Sequence, residues 1–152
     1  MYSDDVYRAK LRATIADLQQ AVAPLAPFTA IDVDLSGQGA RFTLIPHTRG
    51  ACPVELMVRA DQHYDIALGQ AIFEDCRVEQ LDVFKPLILA VADGHIVRRH
   101  HISAQTGVEM GFETIVTMPS AQPWRKVHGG EVWLGRGGEV FMRDQRFLPY
   151  RR

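Results

Sequence analysis

The sequence predicts an α+β fold: an N-terminal amphipathic helix, an antiparallel β-meander, a second helix interrupted by proline, then one or two β-hairpins, with a single sheet covered by the helices. Three observations predict it. Apolar residues recur at helical spacing over residues 4–25, strand-like alternation runs through 28–69, and a second helical pattern over 78–92 precedes a hairpin at 95–118. Elements that fall in runs, rather than alternating strand by helix, indicate α+β and not a doubly wound parallel sheet.

The first helix opens at Ser3, a capping hydroxyl, with Asp4 and Asp5 near the positive end of the dipole. Tyr7, Leu11, Ile15, Leu18, Val22 and Leu25 form one apolar stripe. Pro24 and Pro27 close the helix, whose length is about 30 Å. The stripe suits its own sheet, which needs a cover, better than a seam with a second copy.

Four alternating segments follow: 28–36, 40–46, 54–60 and 62–69, with a short fifth strand at 71–75. Ile31, Val33 and Leu35 alternate with Asp32 and Asp34, so the two carboxylates share the wet face and are read as solvated surface. The loop His47-Thr48-Arg49-Gly50-Ala51-Cys52 places an imidazole, a guanidinium and a thiol within six residues. A nearby cation lowers a thiol pKa, so His47, Arg49 and Cys52 are candidate ligand-binding residues. Their spacing matches no thiol-enzyme signature, and no catalytic residue is assigned.

Val78, Leu81, Phe84, Ile88 and Val91 carry helical spacing up to Gly94, with Pro86 as an interruption that predicts two short helices or one kinked helix. Leu87 to Ala92 is apolar nearly all round. It is either the most buried helix of the fold or half of a dimer interface, so Leu87, Ile88 and Val91 are candidate interface residues.

On the hairpin, Ile96, Arg98, His100 and Ile102 share a face with Met110, Phe112, Val116 and Met118, about a turn at Gln105-Thr106-Gly107. That register pairs Ile102 with Met110, His100 with Phe112 and Arg99 with Glu113. It also sets Arg98 and His100 on an otherwise apolar face. A long basic stem can snorkel to the sheet edge, and this is the default; the sharper reading is a pocket in which Arg98 and His100 meet an anionic ligand. His101 points the opposite way, so the doublet is a poor metal site.

Residues 119–130 read as an internal loop. A twofold echo, His128-Gly-Gly-Glu-Val-Trp-Leu-Gly135 and Arg136-Gly-Gly-Glu-Val-Phe-Met-Arg143, suits a terminal hairpin with arms 132–134 and 140–142. Its aromatic residues Trp133 and Phe141 are further interface candidates. Residues 147–152 are left to dock on the body, dock on a partner, or stay mobile.

The 152 residues fit one domain, and 47% hydrophobic with 23% charged residues is ordinary for a soluble chain. No apolar run is long enough to span a membrane, no secretory signal opens the chain, and two cysteines make no disulfide framework, so a cytoplasmic location is expected. Residues 1–94 hold eight Lys/Arg against thirteen Asp/Glu, and 125–152 hold seven against three. An acidic body with a mildly basic tail disfavours nucleic acid and favours contact with itself or a second copy. No metal spacing or cofactor fingerprint is present. The element order is similar to that of small secretion-chaperone folds in topology alone. The expectation is therefore a small binding or regulatory protein, a homodimer engaging a protein or peptide, leaning away from an enzyme. The alternative is an anionic-ligand protein or enzyme built on Arg98 and His100.

Overall fold

The computed structural model describes residues 2–119, 121–128 and 139–151. Helix α1 spans Asp4–Val22 and tightens into a 3-10 turn over Ala23–Leu25. Pro24 causes the tightening, since its ring supplies no amide to the helical ladder. Ser3 sits at the cap in extended geometry but its side chain makes no capping bond, so the first-turn acids alone complement the dipole. Tyr7, Leu11, Leu18 and Val22 are the buried stripe. Ile15 is only half-buried, which matters below.

Strands β1 (Thr29–Ser36), β2 (Gly39–Pro46), β3 (Val54–Arg59), β4 (His63–Leu68) and β5 (Ala71–Arg77) pair in sequence order as an antiparallel meander. The register aligns Val33, Phe42, Leu56, Ile66 and Phe73 across the sheet, so one residue parity on each strand faces the core. Phe42, Leu44, Leu56, Val58 and Leu68 have no exposed surface. The β1–β2 turn approaches β3 so closely that a Cβ on Gly39, whose φ is +138°, would sit 2.1 Å from the Val58 carbonyl oxygen. Only glycine fits there.

A 3-10 turn at Leu81–Val83 leads into helix α2 (Phe84–Ala92). The two short helical pieces meet at Val83 and Phe84, and Pro86 falls in the first turn of α2, where no amide donor is needed, so it opens that helix rather than breaking it. Leu87, Ile88 and Val91 are 0%, 1% and 0% exposed. Of the two expectations for this stretch, the most buried helix of the fold or half of a dimer interface, this burial matches the first: the three side chains belong to the chain's own core.

The remaining strands make a second sheet, where one was expected. β6 (Ile96–Ser103), β7 (Glu109–Val116), β8 (Trp124–His128) and β9 (Val140–Arg146) lie in the order β8-β7-β6-β9, all antiparallel. The chain leaves β5 through α2, and the helical crossover ends the ladder, so the hairpin pairs only with later strands. Trp124–His128, read from sequence as loop, is an edge strand on β7. The expected arm at 140–142 is part of β9 and pairs with β6; the other arm, with Trp133, lies outside the described residues.

Residues 147–151 lie against the body. Leu148 N–H donates to Gly50 O at 2.9 Å, and Tyr150 N–H to Ala92 O at 2.7 Å. Tyr150 is 1% exposed, and its hydroxyl donates to Cys52 O at 2.6 Å.

Candidate functional site

The hairpin pairs His100 with Phe112, Arg98 with Thr114 and Ile96 with Val116, as its alternation predicts. Closer to the turn the prediction fails. Ile102 is opposite Glu109, not Met110, because a bulge follows the His101–Gly111 pair. One extra residue in β7 inverts the alternation beyond it. Glu109 thereby crosses to the face that carries His100, and its carboxylate hydrogen-bonds His100 Nδ1. His100 Nε2 lies 3.4 Å from Gln145 Oε1, and the ring is 5.9 Å from that of Phe112. His100 is thus a half-buried, hydrogen-bonded ring.

Arg98 does not snorkel. It is 8% exposed, and Nη2 donates to Leu68 O at 2.9 Å, which ties the second sheet to the end of β4. Its guanidinium lies 5.2 Å from the Phe112 ring centre and 5.4 Å from that of Phe147. Cation–π contacts of this kind are worth about 0.5–2 kcal/mol and supply part of what water would. The space for the guanidinium depends on Gly69 (φ +64°), where a Cβ would lie 3.1 Å from Nη2 and 3.9 Å from Cys52 Sγ.

The structure therefore brings Arg98 and Cys52 together, as sequence spacing could not show. Cys52 is fully buried, and burial pushes its thiol up to about 12, more than the Arg98 charge lowers it. The thiol stays protonated at neutral pH and is a poor nucleophile. His47 and Arg49 are exposed on the rim of the same loop, whose Thr48 hydroxyl donates to Tyr150 O at 3.1 Å. Arg98 and His100 share a face, but Arg98 faces the Cys52 end and His100 the Glu109 end.

The opposite face of the hairpin was expected to be wet, with Arg99 paired to Glu113. The two are opposed in register, but Arg99 binds Asp144 of β9 through two bonds at 2.9 and 3.2 Å. Glu113 is buried and engages His101 Nε2 at 2.9 Å and Arg125 Nε at 3.4 Å. Among the described residues, no group of three or more His, Cys, Asp or Glu is placed to hold a metal ion. No helix is long and apolar enough to cross a membrane.

The open concavities lie elsewhere. One is a groove of about 780 Å³ between α1 and the β1–β2 turn. Arg8, Leu11, Arg12 and Ile15 line the helical side, Leu35 and Ser36 the strand side. It exists because α1 covers the centre of the meander but not its edge: Ile31 and Val33 are half-buried, and Leu35 is 57% exposed. A smaller cleft of about 290 Å³ lies between Arg77, Tyr64, Trp124 and Lys126. The described part of β9 is exposed along most of its length, with Phe141 51% and Met142 60% exposed on opposite faces. Phe141 is among the interface candidates of the sequence; the groove is not, because its signal there is only Leu35 on a strand at the sheet edge.

No family model, curated protein or solved structure matches this chain.

Proposed function

We propose that this chain is a binding protein that takes an extended segment of another polypeptide alongside β1, in the groove beside α1. The groove itself is the observation that carries the reading. β1 is one of the two edges of the five-stranded sheet, and among the described residues nothing pairs with its outer side. An exposed edge offers unpaired backbone amides and carbonyls to an incoming strand, which supply affinity, while alternate side chains supply specificity. Inward side chains of that strand meet Ile15 and Leu35; outward ones run beside Asp32 and Asp34. The partner is accordingly a strand that alternates apolar with basic residues.

Fluorescence polarisation with two labelled eight-residue probes, alternating Val-Lys and alternating Val-Glu, tests this. The Val-Lys probe is expected to bind, Leu35→Asp to abolish binding, and the double change Asp32→Lys with Asp34→Lys to transfer preference to the Val-Glu probe. Equal binding of both probes to the parent protein, or none, would contradict it.

A homodimer is supported by a separate observation: Phe141 and Met142, both more than half exposed on one strand. A strand with apolar groups bared on both faces is a liability unless it is covered. Sedimentation equilibrium is expected to give a dimer that Phe141→Asp with Met142→Asp converts to a 17.1 kDa monomer. A monomeric parent at high concentration would remove this reading and leave the groove standing.

A further inference from the structure

Arg98 and Thr114 are directly opposed across the β6–β7 ladder. Thr114 has no exposed surface and Arg98 very little. Among the described residues, Arg98 Nε and Thr114 Oγ1 are the buried side-chain polar atoms that have no hydrogen-bond partner. Two orphans on opposed residues of one ladder, one of them on a cation, are not expected in a well-packed interior. Buried polar groups are ordinarily bonded and buried charges ordinarily paired.

The missing partner is negative. Arg98 has one carbonyl, Leu68 O, and two ring faces, none with a full charge. The carboxylates of the same sheet are engaged elsewhere: Glu109 with His100, Glu113 with His101 and Arg125, Asp144 with Arg99. The nearby Cys52 thiol is held neutral by burial. Opposed side chains of an antiparallel pair start only about 5 Å apart, so one small ion can reach both. The Nη2 end of the guanidinium is closed off by Leu68 O and Gly69, so Nε is the donor left for an ion on this side.

We infer that Arg98 and Thr114 hold a single small inorganic anion of halide size, between the Nε–H of one and the hydroxyl of the other. The ion completes the charge of the seam where β6 and β7 meet the end of β4. It is a structural counter-ion and is independent of the β1 groove.

Thermal melts in sodium chloride and in sodium gluconate, matched in ionic strength, give the first test. Because a ligand bound only by the native state stabilises by mass action, chloride is expected to raise Tm by several degrees with saturation, and gluconate to give only the general salt effect. Thr114→Val, which keeps the shape and removes the hydroxyl, is expected to erase most of the difference. A bromide-soaked crystal of the parent protein gives the second test, with an anomalous peak expected within hydrogen-bonding reach of Arg98 Nε. A water in that position without bromide signal, or superimposable melts in the two salts, overturns the inference.

Discussion

The two sheets of this molecule obey one alternation rule with different consequences. In the meander one face is covered by apolar groups and the other is given to water. Its charges lie outside, where Arg59 gathers Asp61, Asp65 and Asp75 at 2.5, 3.4 and 2.7 Å and Arg41 meets Glu55 at 3.5 Å. In the second sheet both faces bury charge: Arg98 on one, His101 with Glu113 on the other. Exposed pairs are worth little, whereas a buried pair that loses one member leaves an uncompensated charge. The meander is thus held by apolar burial, and the second sheet depends on polar groups that must be matched one by one.

The sharpest way to break this contrast is to remove one carboxylate from each sheet. Glu113→Ala is expected to cost about 1–3 kcal/mol, because its buried hydrogen bond to His101 is lost, while Glu55→Ala is expected to cost less than about 1 kcal/mol. Urea unfolding of both variants checks it. Equal losses would mean that the second sheet is no more polar in its energetics than the first.

A smaller effect is expected where the C-terminal segment fastens the two regions. Tyr150→Phe deletes only the bond to Cys52 O and leaves that buried carbonyl without its partner, for an expected loss of about 1–2 kcal/mol by the same unfolding measurement.

Alkaline pH should loosen the core of both regions together. Cys52 is raised from 9.0 and Tyr7 from 10.0, each to about 12, chiefly by burial. The folded state therefore holds protons that the unfolded state has released. That contribution to stability is intact below about pH 9 and is lost as pH rises toward 12. Tm measured from pH 8 to 11 is expected to fall progressively, and the Cys52 thiol to resist alkylation in the native protein at pH 8. Cys76, half-buried, is expected to react first. A flat Tm across that range would contradict the burial of these groups.

The smallest effect belongs to the wet face. Asp32→Lys and Asp34→Lys are each expected to change stability by no more than about 0.5 kcal/mol, as exposed substitutions commonly do.

Legibility in the sequence follows the same division. The stripe of α1, the strands of the meander and the wet face with Asp32 and Asp34 were readable, because each depended on a local period. The short, kinked second helix was readable for the same reason. What covers Leu87, Ile88 and Val91 was not, since periodicity says that a helix is buried but not by what. The bulge that carries Glu109 to His100 had one hint, Gly111 inside a strand. β8 had almost none, because Trp124, Lys126 and His128 lie on one face without an apolar rhythm. Arg98 was correctly placed on the inner face of the hairpin. Its seat between Phe112 and Phe147, however, is made by the tail at residue 147, far away in sequence.

Two of the edge strands, β1 and β9, are where the proposed activity separates. β1 has a prepared inner face and a helical wall; β9 is bare on both sides over Phe141 and Met142. Hydrogen exchange with and without the alternating Val-Lys peptide, read strand by strand, tests the β1 groove most directly. Amides of Thr29–Ser36 are expected to gain protection while those of Val140–Arg146 do not. Protection appearing along β9 instead, or on neither edge, would contradict strand addition at β1.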